Sequence, residues 1–294
     1  WKGQRKLVML VGGGYDAGGA DGDGLFDANG VRTGYAGYEK FDYKQENSTS
    51  TKKTIGSGVY MFDADTGDLL WNAGSNSDAN LINSDLKYSV VSEIKTVDRN
   101  NDGIIDHLYF GDLAGQAFRV DFKNDGGNTF TTQINKVLNL YNANGKSPRF
   151  YLPPTFTAHK SAGTPEGGNI VVATFISGNK SSPLLATAES PTTTGQINST
   201  NLVSDAVYAI YDYDIFPDKA VFPVATKDLS LIEPRKLATG TTESNAQLKL
   251  ITATTSANSN RGAIVSRSSG WGGWYYKFDK GIPVSTTTAP SRAA

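Results

Sequence analysis

Apolar residues in this chain gather in short runs, each cut off by Gly, Asp, Asn or Ser, and none recurs at helical spacing over a long stretch. Lys6-Leu-Val-Met-Leu-Val11 is uniformly apolar after Lys6, which predicts a strand buried on both faces and ended by Gly12-Gly13-Gly14. Gly58-Val-Tyr-Met-Phe-Asp63 and Asp68-Leu-Leu-Trp71, separated by Asp65-Thr-Gly67, read as a hairpin. Tyr88 to Val97, His107 to Phe110 and Gln116 to Asp121 are further strands. So are Asn169 to Phe175, Ala206 to Tyr211, Gln247 to Ile251 and Gly273 to Phe278. Leu229 to Leu237 is too short for a confident helix and is broken by Pro234. Gln45 to Lys53 and Ser177 to Asn201, rich in Ser, Thr, Asn and Pro, read as exposed loops.

A Gly or Ala, a short aliphatic or aromatic strand and a closing Asp recur at Gly58 to Asp63, Gly115 to Asp121, Ala206 to Asp212 and Gly273 to Asp279. The copies stand about 55 to 90 residues apart, wider than regular propeller blades, so insertions must lie within or between them. The expected fold is therefore all-β, an irregular β-propeller with long loop insertions and an incomplete set of blades; a two-sheet sandwich is the competing architecture. Residues 1-284 are expected to form the propeller domain of a larger protein, and 285-294, which lack apolar periodicity, a disordered tail.

Composition narrows the function. With 28 basic and 29 acidic residues and a net charge of -1, the chain lacks the electrostatic footprint of a nucleic-acid binder. Zero Cys removes disulfides, thiolate metal sites and cysteine nucleophiles. No apolar run approaches the roughly 18 residues of a membrane-spanning helix, so no transmembrane segment is expected. With only His107 and His159 as histidines, little material exists for a Ser-His-Asp triad, and no carboxylate pair stands out as an acid/base couple. The chain reads as no enzyme.

The sharpest chemical signal is Asp98-Arg99-Asn100-Asn101-Asp102-Gly103-Ile104-Ile105-Asp106, with oxygen side chains at positions 1, 3, 5 and 9 and Gly at position 6. A hard cation such as Ca²⁺ takes six to eight oxygens, and a tight loop supplies them at this spacing, with a backbone carbonyl at position 7. The ligands are then Asp98, Asn100, Asp102, the Ile104 carbonyl and Asp106. Position 12 is Tyr109 rather than Glu, so Asp106 must supply the bidentate ligand. Such a site suits affinities on the order of 10⁻⁵ to 10⁻³ M, fitting a calcium-rich exterior. The competing reading is a solvated Asx turn.

The combined motifs resemble the C-terminal propeller domain of the PilY1/PilC family of type IV pilus tip-associated proteins. They are Gly12-Gly-Gly-Tyr-Asp16, Val59 to Trp71, the Asp98 to Asp106 loop running into His107-Leu-Tyr-Phe-Gly-Asp-Leu-Ala-Gly115, and Gly270 to Asp279. The resemblance implies a calcium-binding, surface-exposed factor in pilus biogenesis, cell adhesion and twitching motility, regulating pilus extension against retraction. It further implies minor pilins or other pilus components and a host-cell surface as partners, at the pilus tip or outer-membrane surface of a Gram-negative bacterium. The same calcium ligands are carried over: Asp98, Asn100, Asp102, Ile104 and Asp106.

Two other classes compete. Ala64-Asp-Thr-Gly-Asp-Leu-Leu-Trp71 resembles the docking element of quinoprotein dehydrogenases, but its Gly falls one position early; Trp71 is better read as packing between blades. Trp274, Tyr275 and Tyr276 could serve a glycan-binding adhesin, although alternation along a strand sends at least one of them into the core. Gly19 to Asp27 overlays on the calcium loop with Asp21, Asp23 and Asp27 but has Gly at position 1. His107 is expected to be a surface or packing residue, and Arg119 to pair with an acidic neighbour.

Overall fold

A computed structural model describes residues 1–15, 56–75, 77–98, 101–123, 130–141, 147–160, 169–178, 180, 205–212, 248–250 and 273–278. The 19–27 loop, the 229–237 segment and residues 279–294 lie outside these. Every regular element among the described residues is a strand.

The strands form three sheets. The first contains β1 (Val8–Gly12), β2 (Val59–Asp63), β3 (Leu69–Gly74) and β4 (Leu81–Ile82), in that order, with β4 added parallel to an antiparallel meander. The second is a four-stranded antiparallel meander of β5 (Lys95–Val97), β6 (His107–Gly111), β7 (Gln116–Lys123) and β8 (Thr131–Asn139). The third runs β12-β13-β11-β10-β9, built from β9 (Thr155–Lys160), β10 (Asn169–Ile176), β11 (Ala206–Asp212), β12 (Lys249–Leu250) and β13 (Gly273–Lys277). These are blade-like units, and the described residues form an all-β stack of three sheets, as an irregular propeller requires, rather than a two-sheet sandwich.

The second sheet is the middle layer, and strand alternation explains how it serves two cores. Leu108, Phe110, Phe118, Val120 and Phe122 pack with Val59, Met61, Trp71 and Ala73 of the first sheet. Tyr109, Ala117, Val137 and Leu138 pack with Val171, Ala173, Phe175, Tyr208 and Ile210 of the third. β6 is accordingly buried at all five positions. Trp71 lies between blades as expected, 5.5 Å from Phe122 in an edge-to-face contact, and burial of such a ring contributes on the order of 2–3 kcal/mol.

Three expectations need correction. The 6–11 strand is not buried on both faces: Leu7 is 71% and Met9 51% exposed. Only Val8 and Leu10 reach the core, because the other face of the first sheet turns away from the second. Tyr88 to Val97 is not one strand, since only Lys95–Val97 pairs with β6. The residues before it lace the sheets together instead: Gly14 N donates to Val90 O, Val90 N to Gly56 O and Leu113 N to Ser89 O. Ser177, the first residue of an expected exposed loop, is fully buried, with its N–H on the Ala206 carbonyl. Tyr275 is the buried member of the aromatic trio, while Trp274 and Tyr276 are half-buried.

Candidate calcium loop and the polar network behind it

The 98–106 segment is the turn between β5 and β6, and its neck is closed by Asp106 N donating to Val97 O at 3.0 Å. Inside the turn Asp98 Oδ1 accepts from Asp102 N at 3.2 Å and Asp98 Oδ2 from Gly103 N at 2.8 Å. Asp102 Oδ1 in turn accepts from Ile104 N at 2.8 Å. The chain can curl this tightly because Asn101 (φ 60°) and Gly103 (φ 80°) both adopt the left-handed region, which Gly enters without a steric cost and Asn with a small one.

The local bonds thus wrap the main chain around the Asp98 carboxylate. Asp98 and Asp102 face solvent, Ile104 is half-buried and Asp106 is buried at the neck. Asn100 lies outside the described residues. Among the described residues, no three Asp, Glu, His or Cys side chains are close enough to share one ion. The donor set is composed of oxygen alone, and the curled frame has its sharp turn at the Gly; in both respects the loop fits Ca²⁺. Beside it, Ile104 and Ile105 help line a cleft of about 630 Å³ with Trp1, Leu10, Met61 and Phe122.

At the other end of β6 stands the Tyr-Phe-Gly-Asp-Leu-Ala-Gly element. Asp112 Oδ1 accepts from Ala114 N and Gln116 N, both at 2.9 Å, and Asp112 N donates to Gln116 O at 2.9 Å. The Gln116 amide, oriented to satisfy its neighbours, donates to Asp112 Oδ2 and Asp85 O at 3.0 Å each. Burial pushes the Asp112 carboxyl up to about 8, against the opposing pull of the Gln116 and Ala114 N–H groups. A Cβ at Gly111 would lie 2.6 Å from Phe150 Cβ, so only Gly fits there.

The same face of β6 and β7 carries a buried ionic network. Arg119, fully buried, donates to Asp121 through Nη2 at 3.0 Å, with Nε 2.7 Å from Asp121 Oδ1, and reaches Asp212 of β11 through Nη1 at 2.5 Å. Tyr109 Oη donates to Asp212 Oδ2 at 2.6 Å, His107 Nδ1 lies 2.7 Å from Asp121 Oδ1, and Asn135 Nδ2 donates to Asp121 Oδ2 at 3.1 Å. Burial works to raise the Asp121 carboxyl, but Arg119 and His107 overcome it and hold Asp121 below the usual carboxylate range. Burial and the Asp212 charge raise the Tyr109 hydroxyl well above its ordinary value.

Arg119 pairs with an acid as expected; His107 is a packing residue that also joins this network. Sequence reasoning missed that Asp212 links the second blade to the third. Its signal was the closing Asp of the recurring motif. Asp63, Asp121 and Asp212 are all buried, and Asp63 bonds Lys6 and the Asp65 N–H of its own turn.

No protein-family model matches the sequence, and no curated protein does. Among solved structures the chain is similar to the crystal structure of the Pseudomonas aeruginosa PilY1 C-terminal domain. Identity is 14% and the TM-score 0.41, over 79% of this chain and 45% of that one. The chain therefore spans less than half the length of the structure it matches.

Proposed function

We propose that this chain is a calcium-binding propeller segment of a surface-exposed type IV pilus biogenesis and adhesion factor, which regulates pilus extension against retraction and hence twitching motility. The observation that carries the reading is the 98–106 turn. Its Asp98 carboxylate is oriented by the N–H groups of positions 5 and 6, and the loop runs directly into the Tyr-x-Gly-Asp-x-x-Gly strand and turn that the PilY1/PilC resemblance rests on.

Asp98, Asn100, Asp102 and Asp106 would hold the ion by their side chains and Ile104 by its carbonyl. The bound ion supplies two positive charges and a demand for six to eight oxygens. Without that charge, bringing Asp98, Asp102 and Asp106 together works against their mutual repulsion. Gly103 and Asn101 fix the turn, while Asp106, whose main-chain atoms bond both Val97 and Phe122, connects the loop to β5 and β7. A ligand that prefers one loop state 100-fold shifts the equilibrium by about 2.7 kcal/mol, enough to present or withdraw a partner-binding surface. The partners on this reading are minor pilins or other pilus components and a host-cell surface, and the setting is the pilus tip or outer-membrane surface of a Gram-negative bacterium.

Cells carrying Asp106→Ala test the regulatory role. Altered surface pilus number and twitching zones are expected; wild-type values for both would count against it.

A further inference from the structure

We propose that the free edge of β1 is a docking site for an extended, largely apolar segment of a partner protein, which adds as a strand and sets an acidic residue beside Arg5. β1 stands at the end of its sheet, so only one of its edges is paired. Leu7 O accepts from Ala64 N and Gly13 N donates to Gly58 O, which places the odd-numbered residues in the hydrogen-bonded pairs with β2. The N–H and C=O groups of Val8 and Leu10 therefore point to the other edge, where no strand pairs with them among the described residues. Gly14 N, on that same side, donates to Val90 O, so the opening is confined to the start of the strand. The other sheet edges are guarded: β4 and β12 are two residues long, and β5, β8 and β9 carry Lys95, Lys136 and Lys160. Val8-Met-Leu-Val-Gly12 has neither a charge nor a Pro.

The cleft of about 630 Å³ suits an apolar strand, since Val8 and Leu10 line it together with Ile104, Ile105, Phe122 and Phe130. A strand added to β1 lays alternate side chains onto those residues, while its main chain takes up the N–H and C=O groups of Val8 and Leu10. Arg5 also lines the cleft. Its Nη2 donates to the Asp102 carbonyl at 2.9 Å, so the guanidinium meets a carbonyl dipole and, among the described residues, no carboxylate. Lys6, by contrast, is bonded to Asp63. The charge complementary to this rim is an acidic side chain. Because Arg5 precedes β1, it falls at the carboxyl end of an antiparallel partner strand. The proposal uses the main chain of β1 and the side chains of the cleft, and it stands apart from the calcium reading.

Fluorescence anisotropy of the whole chain tests the proposal with a labelled, amidated peptide that alternates isoleucine and threonine and has an aspartate at its carboxyl end. One control peptide carries N-methylated main-chain nitrogens, which keep the side chains but cannot pair; another has lysine in place of the aspartate. Val8→Pro removes one free-edge N–H and leaves the β1–β2 hydrogen bonds in place. Saturable binding is expected, weakened about tenfold by N-methylation or by Val8→Pro and about three- to tenfold by the lysine. Arg5→Gln should abolish the preference for aspartate over lysine. No saturable binding, or equal binding of the N-methylated peptide to the unaltered chain, overturns strand addition. A chain that dimerises without peptide, and no longer does so with Val8→Pro, assigns the edge to a second copy and overturns the partner segment.

Discussion

The two ends of β6 use one local device in opposite surroundings. At Asp98 and at Asp112 a carboxylate accepts main-chain N–H groups from residues just ahead of it and curls the chain into a tight turn. The Asp112 turn is buried and closed by a third donor, the Gln116 amide, so it needs nothing from outside. The 98–106 turn faces water at Asp98 and Asp102 and carries a third carboxylate, Asp106, buried at its neck. Burial sets the two apart: the Asp112 turn must satisfy its polar groups from within, whereas the polar groups of the 98–106 turn are open to water or, on the reading proposed above, to an ion.

Breaking the buried turn should cost most. Gly111→Ala forces a Cβ against Phe150 and is expected to destabilise the fold by about 3 kcal/mol, read by chemical denaturation, whether or not calcium is present. Asp112→Ala strands two buried N–H groups and should cost about 2 kcal/mol. The contribution of Asp112 also has a pH signature. Its folded carboxyl is raised from 3.8 to about 8, so the folded state holds the proton more tightly, and the stability it contributes is present below about pH 4 and lost as pH rises towards 8. Asp112→Asn should remove that decline; an unchanged pH profile in denaturation experiments would show that the carboxyl stays ionised.

At the exposed turn the same kind of change should do little in EDTA. Asp98→Ala frees N–H groups that water can satisfy, and a loss of less than about 1 kcal/mol is expected in denaturant melts.

Short aliphatic or aromatic runs ending at or near an Asp were legible in the sequence, because burial of at least alternate positions sets their apolar content: β2, β6, β7, β11 and β13 all stood out. β8 and β9 did not. Both are edge strands, and runs such as Thr155-Phe-Thr-Ala-His-Lys160 bury too little to rise above the surrounding polar chain. Leu7 and Met9 misled for the converse reason, since an apolar run does not reveal whether a sheet stands on each side of it. The candidate loop was legible because its oxygen-bearing residues fall within nine consecutive positions. The Arg119–Asp212 pair, 93 residues apart, and the Arg5 contact with Asp102 depend on which blades meet, and no local pattern encodes that.

Scanning calorimetry in EDTA and then in millimolar calcium, on wild type and Asp102→Ala, decides whether the 98–106 turn is an ion site. A calcium-dependent rise in Tm is expected for wild type and not for the variant. No rise in wild type, or an equal rise in both, would contradict it.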